Sequence, residues 1–94
     1  MIVVRNVFIA KPGQASKLAT MFKTAAAAGK LPNHRVLTDL TGEFNRVVLE
    51  YQVEDMTAFG AQLKDYASNE ALRKAMTGYT DMYLTGHREI LQTA

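Results

Sequence analysis

The sequence predicts an α+β fold with the element order β-α-β-β-α-β, and three observations carry that expectation. The run from Ile2 to Ala10 is rich in β-branched residues, and two further extended runs, His34 to Thr41 and Phe44 to Val53, flank the turn-like Thr41-Gly42-Glu43. Between these strands and a short closing run lie two stretches whose apolar residues recur at helical spacing.

Ile2 to Ala10 reads IVVRNVFIA and is broken only by Arg5 and Asn6, the pattern of a strand with apolar contacts on both faces. Lys11-Pro12-Gly13 ends it. From Gln14 onward, Ala15, Leu18, Met21, Phe22 and Ala25 mark an amphipathic helix, with Gly29 as the residue just past its end. In the second strand His34, Val36, Thr38 and Leu40 share one face. In the third, Val47, Leu49, Tyr51 and Val53 oppose Arg46, Val48, Glu50 and Gln52, so the two runs read as an antiparallel hairpin.

Asp55 is placed to cap a second helical segment that runs to Leu84 with a break near Ser68, itself a candidate cap. Its apolar stripe is Met56, Phe59 and Leu63, then Leu72, Ala75, Met76, Tyr79 and Met82 or Tyr83. Gly86 suits the helix exit, and His87 to Thr93 is the expected last strand. No repeat or linker interrupts this order, so residues 1–94 are expected to form one domain.

Two right-handed β-α-β halves produce a ferredoxin-like antiparallel sheet with both helices on one face. The opposite face then carries Val48 and alternate residues of the other strands, an apolar surface that a second copy of the chain would cover. A homodimer through the sheet faces is therefore expected.

Hydrophobic residues make up 48% of the chain and charged residues 21%, which excludes a disordered or low-complexity chain. A net charge of +2 spread over scattered basic residues does not point to nucleic acid. The absence of cysteine removes disulfides, thiolate nucleophiles and thiolate metal sites. No signal segment and no apolar run of membrane-spanning length is present, so a soluble, cytoplasmic protein with no membrane partner is expected.

Three segments carry a family resemblance: the strand leading to Lys11-Pro12-Gly13, the hairpin VLTDLTGEFNRVVLEYQV from Val36 to Val53, and GHREIL from Gly86 to Leu91. With them the chain resembles the dimeric α+β barrel superfamily, whose members include antibiotic-biosynthesis monooxygenases and NIPSNAP-like proteins. The hairpin and the ending are most similar to the NIPSNAP-like branch. The resemblance implies two ferredoxin-like chains with packed sheets. Its cofactor-independent oxygenases commonly use an Asn on the first strand with a Trp in the second half, and its haem-degrading members add a His on the last helix. Asn6 matches the first of these, but the chain has no Trp, and Ser68 to Leu84 contains no His. No cofactor is expected.

His34 and His87, the only histidines, each open an expected strand and are candidates for a general base or a metal ligand. Neither has a carboxylate at metal-ligand spacing, and no metal site is expected. Arg5 and Asn6 interrupt an apolar strand, and a buried polar group without a partner costs about 1–3 kcal/mol. Glu50 on the neighbouring third strand is the natural partner of Arg5, read first as a structural pair and second as a substrate anchor. Arg46 shares Glu50's side of its strand, and a cavity holding Arg5, Arg46 and Glu50 favours an anionic or strongly hydrogen-bonding ligand. Tyr79 and Tyr83, four residues apart, are the tyrosines placed to lie together beside a pocket between helix and sheet. The other tyrosines and the methionines read as core.

Three functions are consistent with these residues. The leading one is a dimeric binding protein holding a small, partly apolar molecule between sheet and helices. The second is a cofactor-independent monooxygenase or isomerase-like enzyme acting on an aromatic or polyketide-like compound through Asn6, His34 or His87. The third is a non-catalytic dimerisation module.

Overall fold

A computed structural model describes residues 1–94. The elements are β1 (Ile2–Ala10), α1 (Ala15–Ala28), β2 (Arg35–Thr38), β3 (Arg46–Val53), α2 (Met56–Ser68), α3 (Glu70–Ala75) and β4 (Tyr83–Gln92), with a 3-10 turn at Tyr79–Asp81 before β4. The strands form one sheet in the order β2-β3-β1-β4, and each neighbouring pair is antiparallel. This is the ferredoxin-like arrangement, with an open sheet whose edges are β2 and β4.

Period-2 alternation fixes the two faces. Val47, Leu49, Tyr51 and Val53 of β3 are buried with Val4 and Ala10 of β1 against Leu18, Ala19, Phe22 and Ala26 of α1 and Phe59 of α2. The intervening residues of β1 and β3, among them Arg5, Val7, Arg46, Val48 and Glu50, face the uncovered side.

Local chemistry sets the boundaries. Helix α1 ends on Gly29, but Lys30, with φ of 51°, is the residue that takes the left-handed conformation. The Leu31 and Lys30 N–H groups then close back on the Ala26 and Ala27 carbonyls, and the Leu31 side chain is buried. A Cβ at Gly29 would lie 3.2 Å from the Leu72 side chain of α3, which would have to give by a few tenths of an ångström. Asp55 caps α2, its Oδ1 accepting the Ala58 N–H at 2.9 Å.

Three expected boundaries are corrected. The cap of α3 is Asn69, whose Oδ1 accepts the Leu72 N–H at 3.0 Å; the Ser68 hydroxyl instead donates back to Lys64 and Asp65 carbonyls inside α2. The helical segment stops at Ala75 rather than Leu84, because Gly78 adopts φ of 84° and turns the chain into β4 at Tyr83. Gly86 therefore sits within a strand, where a Cβ would lie 2.7 Å from the Phe8 ring. The hairpin strands are also shorter than expected, since residues 39–45 form a loop in which Asn45 is left-handed and Arg46 binds Asp39.

Candidate functional site

The open face carries paired charges. Register sets Arg5 opposite both Glu50 and Glu89, and sets Arg35 opposite Glu50. Arg5 Nη2 donates to Glu50 Oε1 at 2.8 Å, and Arg5 Nη1 reaches Glu89 at 3.5 Å. Arg35 Nε donates to the other oxygen of Glu50. Hydrogen bonds from Arg35 first and Arg5 second hold the Glu50 carboxyl below the usual carboxylate range, and Glu50 in turn raises Arg5. His87 Nε2–H donates to Glu89 Oε2 at 3.1 Å, which lowers the Glu89 carboxyl. Arg46 turns toward the loop and donates from Nε to Asp39 Oδ1 at 2.8 Å, leaving Asp39 Oδ2 buried without a partner. A recess of about 760 Å³ extends over this face and is lined by Arg5, Val7, Leu37, Arg46, Val48 and His87 among others.

The helix side holds a smaller, more apolar cleft of about 190 Å³. Its floor is Asn6 and Phe8 of β1 with Leu49 and Tyr51 of β3; Phe22, Leu63 and Met76 come from the helices, and Tyr79 and Arg88 from the chain's second half. Helix α1 packs on β1 and β3, α2 packs on β3, and α3 packs on α1 and α2, while edge strand β4 is left largely exposed. Polar groups gather where the cleft opens. Arg88 Nε donates to Asn6 Oδ1 at 2.8 Å across the β1–β4 register, and its guanidinium carbon lies 5.3 Å from the centre of the Phe59 ring. The Tyr51 hydroxyl donates to Gln62 Oε1 at 2.7 Å. Burial raises the Tyr51 and Tyr79 hydroxyls, while the charge of Arg88 opposes the rise in both.

The sequence candidates thus divide between two faces. Arg5, Arg46 and Glu50 lie on the open side, with the Glu50 carboxylate held between Arg5 and Arg35. Asn6 and Tyr79 line the helix-side cleft. Tyr83 stands behind them, its ring 5.9 Å from Tyr79 and 4.9 Å from Phe8. The two tyrosines meet because a 3-10 turn and the start of β4 bring them together, not because they share a helix. His34 lines neither space: its Nδ1–H donates to the Leu31 carbonyl at 2.8 Å and holds the turn into β2. Asn6, His34 and His87 therefore line no common cavity within one chain.

Arg88 and Gln62 are site residues that sequence reasoning passed over. Arg88 was legible only as a polar residue on the face of Ile90 and Gln92; what makes it a cleft residue is its pairing with Asn6, which depends on strand register. No three His, Asp or Glu side chains are clustered to hold a metal ion. No helix is long and apolar enough to cross a membrane.

No protein-family model matches the chain, and no curated protein matches it. Solved structures do. An uncharacterised NIPSNAP domain protein from Burkholderia xenovorans superposes with a TM-score of 0.86 at 15% identity, over 100% of this chain and 95% of that one. A NIPSNAP family protein from Agrobacterium tumefaciens gives 0.77 at 14% identity, covering 99% and 85%. A putative antibiotic biosynthesis monooxygenase from Chloroflexus aurantiacus gives 0.72 at 13% identity, covering 99% and 94%. The chain shares the ferredoxin-like fold of these NIPSNAP and monooxygenase-like proteins.

Proposed function

We propose that this protein works as a homodimer and binds a small, partly apolar molecule in the cleft between sheet and helices. The observation that supports it is the cleft itself: apolar walls from three helices and two strands, with Asn6, Gln62, Tyr79 and Arg88 grouped as its polar members. Few convergent polar groups in an apolar recess fix a ligand's orientation while its body supplies contact area.

The second copy belongs on the opposite face. Val7 and Val48 lie there with Leu37 and Leu91, which are 38% and 44% exposed, and the adjoining loop holds Leu40 and Phe44 almost fully in solvent. Covering this surface buries apolar area. The matched ion pairs of Arg5, Glu50 and Arg35 fit a structural role beneath such an interface better than a substrate anchor, because both oxygens of Glu50 already neutralise the two arginines.

Backbone amide shifts of the labelled protein, titrated with neutral and charged single-ring compounds, test the cleft. Shifts are expected at Leu49, Tyr51, Gln62 and Tyr79, and a Leu63→Trp variant, which fills the cleft mouth from a partly exposed position, is expected to remove them. Shifts confined to Val7, Val48 and His87, or no shifts with any compound, contradict the reading.

A further inference from the structure

The helix-side cleft keeps several side-chain donors unengaged. Asn6 Oδ1 accepts from Arg88 Nε, and the Asn6 Nδ2 donors stay unengaged. Gln62 Oε1 accepts from the Tyr51 hydroxyl, and its Nε2 donors likewise stay unengaged. Arg88 keeps both Nη groups. Arg5, Arg35 and Arg46 each meet a carboxylate, whereas Arg88 meets none within ion-pair distance. Its charge is nonetheless held in place, by Asn6 on one side and the face of Phe59 on another, and it acts on the Tyr51 and Tyr79 hydroxyls within the cleft.

A guanidinium fixed by its Nε, with its outer nitrogens unengaged and amide donors nearby, matches the geometry of a carboxylate. The remainder of the cleft is apolar and aromatic, bounded by Phe8, Phe22, Leu49 and Met76. At about 190 Å³ it has the volume of about six waters at ~30 Å³ each, room for one ring or a short branched chain.

We propose that the cleft selects a small carboxylic acid, with its apolar body against Phe8, Phe22, Leu49 and Met76 and its carboxylate at Arg88 beside Asn6 and Gln62. This rests on the reading of the cleft as a ligand site and adds the charge and class of the ligand.

Calorimetry and amide-shift titration with three compounds of one shape test it: phenylacetate, 2-phenylethanol and 2-phenylethylamine. Phenylacetate is expected to bind at least about tenfold more tightly than the alcohol, as a charge-assisted bidentate contact implies, with the amine weakest. Arg88→Gln is expected to bring the acid down to the affinity of the alcohol, and Arg88→Lys to retain part of the preference. Should Arg88→Gln fail to fold, salt decides: in the wild type, added salt is expected to weaken the acid and leave the alcohol unchanged. Equal affinity for acid and alcohol, or an acid affinity that survives both Arg88→Gln and high salt, overturns the inference while leaving the cleft a binding site. Cleft amides unmoved by any of the three overturn the ligand-site reading and the inference together.

Discussion

Arg5 and Glu50 stand directly opposite one another in the β1–β3 register and bond at 2.8 Å, while Arg35 closes on the other Glu50 oxygen from β2. Glu50 thus ties three strands together on the open face. Glu50→Gln keeps the shape but leaves two guanidinium groups sharing a neutral amide. A loss of roughly 1–2 kcal/mol is expected in urea unfolding, less than for a deeply buried pair because both arginines reach solvent.

The same group makes stability depend on pH. Arg35 and Arg5 lower the folded-state value of Glu50, so its contribution is present above the ordinary glutamate value and is lost as pH falls through the lowered one. The stability difference between wild type and Glu50→Gln should therefore be full near pH 7 and shrink as the pH falls below the ordinary glutamate value and through the lowered one. A difference that stays constant over that range contradicts the assignment.

The Phe8 ring fills the space that any side chain at residue 86 would need, with the nearest ring carbon 2.7 Å from an added Cβ. Gly86→Ala is expected to cost about 1–3 kcal/mol by overpacking. Phe8→Leu combined with Gly86→Ala should cost less than the sum of the two single changes, because removing the ring opens the space. Additive losses contradict the contact.

Capping of α3 separates two neighbouring residues. Asn69→Ala removes the acceptor for the Leu72 N–H and should cost about 1 kcal/mol, whereas Ser68→Ala, whose hydroxyl only donates back into α2, should stay within about 0.5 kcal/mol. Chemical unfolding of the two variants checks this.

Dimerisation through the open face predicts that Leu37→Glu or Leu91→Glu lowers the sedimenting mass from twice 10.4 kDa to 10.4 kDa without loss of helical signal. A wild type that sediments as a single chain contradicts the dimer.

The parts of the fold that obey a simple period were legible. Val47, Leu49, Tyr51 and Val53 alternate with Arg46, Val48 and Glu50, and the strand order places the first strand beside the third, so the Arg5–Glu50 pair follows from the sequence. The end of α3 was not, because Tyr79, Met82 and Tyr83 continue the helical stripe of Leu72 and Met76 while packing from a turn and a strand. The decision rests with Gly78 and its left-handed backbone. The cleft was less legible still. Asn6 and Arg88 are 82 positions apart, and their contact depends on how edge strand β4 is registered against β1. No local pattern encodes that register.

A crystal structure of the protein grown with phenylacetate tests the central claim most directly. The expected result is two chains packed through the faces that carry Val7 and Val48, each with the compound in the cleft of Phe8, Leu49 and Tyr79 and its carboxylate at Arg88. A cleft closed by Phe22 and Met76, or the compound lodged between the two sheets, would contradict it.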